Sequence, residues 1–90
     1  MNQALIESDT TTILGKPYNV ILFNDDHHDM MQVVNQIKKA TGCDAMKATV
    51  IMMEAHNNGR AIAFSGGLER CEHVESILAE ISLGTKIEQA

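Results

Sequence analysis

Hydrogen-bond acceptors crowd into one short stretch of the chain, directly after an apolar run. Residues 20–23 read Val-Ile-Leu-Phe, residues 24–29 read Asn-Asp-Asp-His-His-Asp, and Met30 and Met31 follow at once. Carboxylates, amide carbonyls and neutral imidazole nitrogens all accept hydrogen bonds. A site lined by such acceptors at the edge of an apolar element suits a ligand that has a cationic head and an apolar body.

The same cluster has a second interpretation, because transition metals accept imidazole and carboxylate ligands. The side chains that could serve are Asp25, Asp26, His27, His28 and Asp29. Neighbouring residues cannot all converge on one ion, and zinc ligands usually come from separated segments. The prediction is therefore a site without metal, and a small metal-binding protein stays open as an alternative.

Length and composition predict one small domain with an aliphatic core. The chain has 90 residues, of which 44% are hydrophobic and only 3% aromatic, with no Trp. Such a length is close to the lower range in which a core is stable without disulfides, bound metals or oligomerisation. Cys43 and Cys71 form no C-x-x-C pair, and we expect them to be reduced thiols.

Charge and hydropathy exclude several classes of partner. The net charge is −5, and no basic cluster exceeds the pair Lys38-Lys39, which argues against nucleic-acid binding. No apolar run reaches the roughly 20 residues of a membrane span, and no export signal is recognisable. We therefore expect a cytoplasmic protein, or a stromal one in a plastid-bearing organism, that does not bind membranes.

Catalytic motifs are missing from the sequence. Residues 65–67, Ser-Gly-Gly, read as a turn and not as a phosphate-binding loop. Asp25 and His56 could form an acid–base pair, but no residue is nominated as the nucleophile. The expectation is a protein that is not an enzyme and needs no cofactor.

The chain begins with a segment that lacks periodicity. We expect residues 1–16 to be a flexible tail and residues 17–90 to form the folded domain. Residues 18–23 have the composition of a strand. Because residues 20–23 are all apolar, this strand should lie at the centre of a small sheet.

Apolar spacing predicts a first helix from Met30, Val33, Val34 and Ile37. Asp29 has the features of its N-cap, although Asp26 could also begin it, and Gly42 should end it. Asp44 should cap a second helix that runs to about Asn57. Because this second helix is apolar almost all round, we expect it to be largely enclosed.

The rest of the chain completes an α+β domain. Residues 60–64 predict a second strand, residues 68–81 a third helix, and residues 83–88 a closing strand. The predicted order is β-α-α-β-α-β. We expect a three-stranded antiparallel sheet with three helices packed on one side.

Two blocks of residues carry a resemblance to a known family. The first is Tyr18-x-Val20-Ile21-Leu22-x-Asn24-Asp25-Asp26, with Met30 and Val33 after it. The second is Ala48-Thr49-x-x-Met52-x-x-Ala55-His56-x-x-Gly59-Arg60-Ala61. Both blocks resemble the ClpS family of bacterial and plastid adaptors, which deliver N-degron substrates to Clp AAA+ proteases.

The resemblance implies a site in two parts. Asn24, Asp25 and His56 would bind the α-amino group of the first substrate residue, with Asp26 and His28 at a possible rim. Such a group is an ammonium with three donors and no acceptor, so converging acceptors suit it. The pocket for the first side chain would be lined by Met30, Val33, Met52, Ala55 and, near the last strand, Leu83.

The resemblance also implies partners. These are substrates with a bulky hydrophobic N-terminal residue and the N-terminal domain of a ClpA- or ClpC-like unfoldase, and we expect the adaptor to be a monomer. The tail at residues 1–16 would engage the ATPase.

The chain departs from the family pattern at three places. His28-Asp29 stand where the family usually has Thr-Pro, and Ala55 stands where it usually has Val or Leu. After Phe64 the course Ser-Gly-Gly-Leu-Glu-Arg-Cys-Glu differs from the family's helix start. The third departure keeps open an alternative, a ClpS-like interaction domain that does not recognise N-degrons.

Overall fold

An antiparallel sheet and three helices form the part of the protein that the structure describes. The computed structural model describes residues 17–90, so the expected flexible tail, residues 1–16, lies outside the described residues. In chain order the elements are β1 Tyr18–Phe23, α1 Met30–Thr41, α2 Ala45–Asn58, β2 Arg60–Gly66, α3 Leu68–Leu78 and β3 Thr85–Gln89, with one 3₁₀ turn, Ala79–Ile81, before β3. The predicted α+β class and element order are confirmed.

Strand β1 lies at the centre of the sheet. It pairs in antiparallel fashion with β2 on one side and with β3 on the other, giving the order β2-β1-β3. Val20, Ile21 and Leu22 are at most 2% exposed. The run of consecutive apolar residues thus predicted a strand at the centre of the sheet, and the pairing on both of its edges confirms that place.

The core lies where the helices pack against the sheet. Each helix places residues at three- and four-residue spacing into it: Val33, Val34, Ile37 and Ala40 from α1, Ala48, Ile51, Met52 and Ala55 from α2, and Cys71, Val74 and Leu78 from α3. Burying one large aliphatic side chain contributes about 1.5–3 kcal/mol. Because Ala and Val are frequent here, many small contributions must add up.

The expectation that α2 would be largely enclosed is wrong. Met46 is 78% exposed and Val50 is 59% exposed, although both belong to this helix. Helix α2 packs against α1 and β2 with one face only, and no further layer of the described chain covers the opposite face. Apolar residues on both faces of α2 therefore do not mean that both faces are buried.

The end of strand β2 differs from the prediction. Ser65 and Gly66 extend β2 instead of forming a turn, because they pair with Asn19 and Tyr18 of β1. The Ser65 hydroxyl also donates a hydrogen bond to the Asn19 side-chain carbonyl, with an O···O distance of 2.6 Å. A sheet partner far away in the sequence thus outweighed the local preference of Ser-Gly-Gly for a turn.

The end of the third helix was also placed too late. Regular helix stops at Leu78, residues 79–81 form the 3₁₀ turn, and Ser82 adopts the left-handed φ of 62°. The backbone N–H of Leu83 donates to the Leu78 carbonyl at 3.3 Å, so the closing strand begins only at Thr85.

Helix caps occur where the sequence predicted them. The carboxylate of Asp29 accepts from the backbone N–H of Gln32 at 2.8 Å, and that of Asp44 accepts from Lys47 at 2.8 Å. Asp29, and not Asp26, is therefore the N-cap of α1. At its other end α2 stops at Gly59, whose φ of 89° is the left-handed conformation that glycine adopts without strain.

Replacing Gly59 by Ala should destabilise the protein through its backbone alone. A Cβ at this position would meet nothing within 4 Å, so the cost is the strain of the positive φ, about 1 kcal/mol. Urea unfolding should show this loss. Gly84→Ala is the matched control, because φ there is not positive and the added Cβ would make only an ordinary 3.7 Å contact with Phe23. Equal stability of the two variants would contradict the prediction.

Candidate functional site

A cavity of about 200 Å³ opens where the end of β1, the following loop and helices α1 and α2 meet. Its lining combines polar with apolar side chains. The lining residues are Leu22, Phe23, Asn24, Asp25, Asp26, His28, Met30, Val33, Met52, Ala55 and His56. The structure thus brings together every site residue predicted from the sequence except Leu83.

Backbone hydrogen bonds join the two segments that form this cavity. The N–H of Asn24 donates to the carbonyl of Gly59 at 3.0 Å, and the N–H of Gly59 donates to the carbonyl of Ala55 at 2.9 Å. One residue earlier, Phe23 pairs with Arg60 in the sheet. The loop after β1 is therefore attached to the C-terminal end of α2, which carries His56 in its last turn.

The side chain of Asp25 organises the loop. Its Oδ1 accepts from the backbone N–H groups of His27 and His28, both at 2.8 Å. The ring Nδ1 of His28 lies 3.0 Å from each of the two carboxylate oxygens. Only 10% of the Asp25 side chain and 19% of the His28 side chain are exposed. The Asp25 carboxylate is thus engaged by its own loop.

These contacts lower the pKa of Asp25. Burial by itself would raise it, but the hydrogen bonds from the backbone and ring of His28 and from the backbone of His27 together outweigh burial. The pKa falls below the ordinary value of 3.8. A carboxylate with a lowered pKa is ionised at neutral pH, so the cavity has a permanent negative charge beside it.

Three other acceptors are less engaged. The amide nitrogen of Asn24 donates to Oδ1 of Asp26 at 3.2 Å, which leaves the Asn24 side-chain carbonyl and Oδ2 of Asp26 without a donor among residues 17–90. His56 is exposed at the end of α2, and its ring makes no hydrogen bond within the same range. The cavity is therefore lined by amide, carboxylate and imidazole groups that can accept hydrogen bonds.

The apolar wall comes from the sheet and from two helices. Val33, Met52 and Ala55 are between 3% and 7% exposed, whereas Met30 is 48% exposed and lies at the rim. Leu22 and Phe23 of β1 also line the cavity, and the sequence reasoning missed both. Their position directly before Asn24 was the available signal, since the end of a strand leads into the same site as its loop.

Leu83 does not line the cavity, and its predicted place in the wall is corrected. It is 5% exposed and belongs to the core cluster, and its N–H is bonded to the end of α3. Leu83 precedes β3, which borders β1 on the side opposite β2. The cavity is lined instead by the end of β1, the loop that follows it, and helices α1 and α2.

The metal alternative gains no support from the described residues. Within residues 17–90, no group of three or more His, Cys, Asp or Glu side chains is arranged to hold an ion. Asp25 and His28 bind each other, and Asp29 caps α1. In the same range, no helix has the length and hydropathy that crossing a membrane requires.

Replacing Asp25 by Asn should lower stability by about 1–2 kcal/mol at neutral pH, because a neutral acceptor replaces a charged one. Since the folded-state pKa is lowered, the contribution of the carboxylate is fully present above the ordinary value of 3.8 and is lost as the pH falls through the folded pKa. Unfolding measured from pH 7 to pH 2 should therefore show the two proteins converging in acid.

The control for this series is Asp26→Asn, because within residues 17–90 Asp26 accepts only from the Asn24 side chain and from no backbone N–H of the loop. It should change stability by less than about 0.5 kcal/mol. A pH-independent loss of the same size in both variants would rule out the loop-organising role of Asp25.

Comparison with known proteins gives a consistent result. The sequence model of the family described as ATP-dependent Clp protease adaptor protein ClpS matches residues 15–83. The ATP-dependent Clp protease adapter protein ClpS of Xylella fastidiosa (strain M12) is 32% identical over 89 residues, which covers 98% of this chain and 81% of the relative. The protein of the same name from Vibrio atlanticus (strain LGP32) is 33% identical over 85 residues, covering 91% and 76%.

A solved structure has the same fold. The structure of Agrobacterium tumefaciens ClpS2 bound to L-phenylalaninamide aligns with a TM-score of 0.77, covering 83% of this chain and 98% of that one. The two sequences are 22% identical. At this identity the likeness shows that the arrangement of elements is shared.

Proposed function

The chain belongs to the ClpS family of adaptors of the ATP-dependent Clp protease, and from this premise we propose that it captures substrates by a free N-terminal residue with a bulky apolar side chain. Membership of an adaptor family agrees with the expectation of a protein that is not an enzyme. The observation that carries the proposal is the cavity in which hydrogen-bond acceptors lie beside an apolar wall.

The proposed amine site consists of Asn24, Asp26 and His56. An ammonium offers three N–H donors, and these residues offer three acceptors: the Asn24 side-chain carbonyl, the Asp26 carboxylate and an imidazole nitrogen. From the sequence we expected Asp25 to be a direct ligand. Because its carboxylate holds the loop, we now assign Asp25 a positioning role and a charge that favours a cation, and we move Asp26 from the rim into the ligand set.

This arrangement would distinguish a chain terminus from an internal amide. An acetylated or internal nitrogen has at most one N–H donor and no positive charge. Such a ligand would leave acceptors of the site without partners while still displacing their water, which is costly. Charge-assisted hydrogen bonds are also the stronger ones, so the free amine gains on both counts.

The apolar wall would receive the first side chain. Burying 150–250 Å² of an aromatic residue at about 25 cal/mol/Å² gives about 4–6 kcal/mol. Ordering of the peptide offsets much of this gain, so affinities should be on the order of micromolar, which allows release to a protease. L-Phenylalaninamide, to which the Agrobacterium ClpS2 is bound in its structure, has a free amine beside an aromatic side chain, and this chemistry fits the cavity.

The proposed partner that receives the captured substrate is the N-terminal domain of a ClpA- or ClpC-like unfoldase. Family membership supports a Clp partner in general. The substrate, held in the cavity at one end of β1, would then be passed to the protease. The adaptor itself would act as a monomer.

Binding should depend on the first residue of the ligand and on its free amine. In fluorescence anisotropy, a peptide that begins with Phe should bind at least about tenfold more tightly than one that begins with Ala or with acetyl-Phe. His56→Ala should weaken the Phe peptide about tenfold, because one acceptor of the ammonium is lost. His73→Ala is the matched control, since His73 is an exposed helix residue outside the cavity.

Equal binding of all three peptides would defeat the proposal. It would favour instead the ClpS-like interaction domain without N-degron recognition. A pull-down with the N-terminal domain of a Clp unfoldase would detect that alternative directly.

The residue at position 55 should determine how large a first side chain the pocket accepts. This residue is 3% exposed and lines the cavity from α2, so Ala55→Val would add two methyl groups to the wall. We expect Trp to lose about threefold or more relative to Leu at the first peptide position, because crowding in a packed site is costly. Ala45→Val, at an exposed position of the same helix, should leave the ranking unchanged. An unaltered ranking in Ala55→Val would remove this residue from the pocket.

A further inference from the structure

One ring nitrogen of His28 is engaged by Asp25, and the other has no hydrogen-bond partner among the described residues. Its Nδ1 lies 3.0 Å from both oxygens of Asp25, and its backbone N–H donates to the same carboxylate at 2.8 Å. The ring is 19% exposed and lines the cavity. Among residues 17–90 no group forms a hydrogen bond with Nε2. The loop thus holds a largely buried imidazole in one orientation at the site.

The contact with Asp25 decides which nitrogen carries the proton. A carboxylate accepts only, so Nδ1 must be the donor, and in the neutral ring Nε2 is then an acceptor. Nδ1 and Nε2 lie on different sides of an imidazole, so Nε2 is directed away from Asp25. In the free protein water can satisfy this nitrogen. A bound ligand that displaces the water must supply a donor or leave the nitrogen unsatisfied, which costs affinity.

A count of donors and acceptors identifies the ligand group. The three N–H donors of the ligand ammonium are matched by Asn24, Asp26 and His56, if the proposed function holds. Unless proline is the second residue, the next donor along a peptide is the N–H of the first peptide bond. Nε2 of His28 is a further acceptor of the lining, and no donor among residues 17–90 occupies it. We infer that Nε2 of His28 accepts a hydrogen bond from this N–H, so that the site recognises two consecutive nitrogens of its substrate.

This inference rests on the proposed function and defines its substrate class more narrowly. A substrate needs a free first amine and also an N–H on its second residue. Proline has no backbone N–H. Chains with proline at the second position would therefore be poor substrates, even when their first residue fits the apolar wall.

The test compares two small probes that differ in one atom group. Phenylalanine N-methylamide has an N–H where phenylalanine methyl ester has an oxygen, and both have the free amine and the aromatic ring. Each probe displaces a fluorescent Phe-starting peptide from the wild-type protein. The amide should bind about three- to tenfold more tightly than the ester, as one hydrogen bond in a partly buried site predicts.

Two variants distinguish the loss of the Nε2 acceptor from the loss of the contact with Asp25. His28→Asn places an amide donor where Nδ1 lies and can keep the contact with Asp25, but it has no acceptor at the position of Nε2. His28→Gln places an amide oxygen near the position of Nε2. The amide-to-ester ratio should fall to about one in His28→Asn and should be largely restored in His28→Gln. Thermal melting reports whether each variant retains the folded loop.

The outcomes distinguish this inference from the proposal beneath it. A wild-type ratio retained by folded His28→Asn, or equal affinities of the two probes for the wild-type protein, would overturn the role of His28 and leave N-terminal recognition intact. If neither probe displaces the peptide from the wild-type protein, the amine site itself fails and the inference fails with it. A ratio lost in His28→Asn and regained in His28→Gln would establish the inference.

Discussion

The cavity depends on one backbone hydrogen bond between distant parts of the chain, from the N–H of Asn24 to the carbonyl of Gly59. It continues the pairing of β1 with β2 by one step beyond the sheet, because Phe23 already pairs with Arg60. Gly59 can serve as this acceptor only because its positive φ ends α2 and turns the chain directly into β2. The geometry of one helix end therefore places His56 beside the loop that carries the polar cluster.

Asn24, Asp25 and Asp26 have different roles in the loop. The amide nitrogen of Asn24 holds Asp26, and the carboxylate of Asp25 holds two backbone N–H groups and the ring of His28. A loop without regular structure would otherwise lose much of any binding energy to its own ordering. Because Asp25 meets this need inside the loop, Asn24 and Asp26 retain acceptors that can be offered to a ligand.

The two departures from the family pattern at the cavity act on different parts of it. His28 brings a polar ring, tied to Asp25, to a position where the family usually has a small hydroxyl residue. Ala55 makes the apolar wall shorter on the α2 side. If the proposed function holds, the two departures predict a pocket that is roomier for the first side chain and more polar at its lining than the family pattern gives. A departure that lies outside the cavity, after Phe64, leaves this geometry unaffected.

The sequence by itself determined the element order, the helix caps at Asp29 and Asp44, and most of the cavity lining, because periodicity, capping residues and family motifs are local signals. It could not determine the exposed face of α2 or the core position of Leu83, since both depend on which elements pack together. Likewise, only tertiary structure assigned Asp25 to the loop and left Asp26 available. Identical carboxylates differ in role through their hydrogen-bond partners, and those partners are set by the three-dimensional path of the backbone.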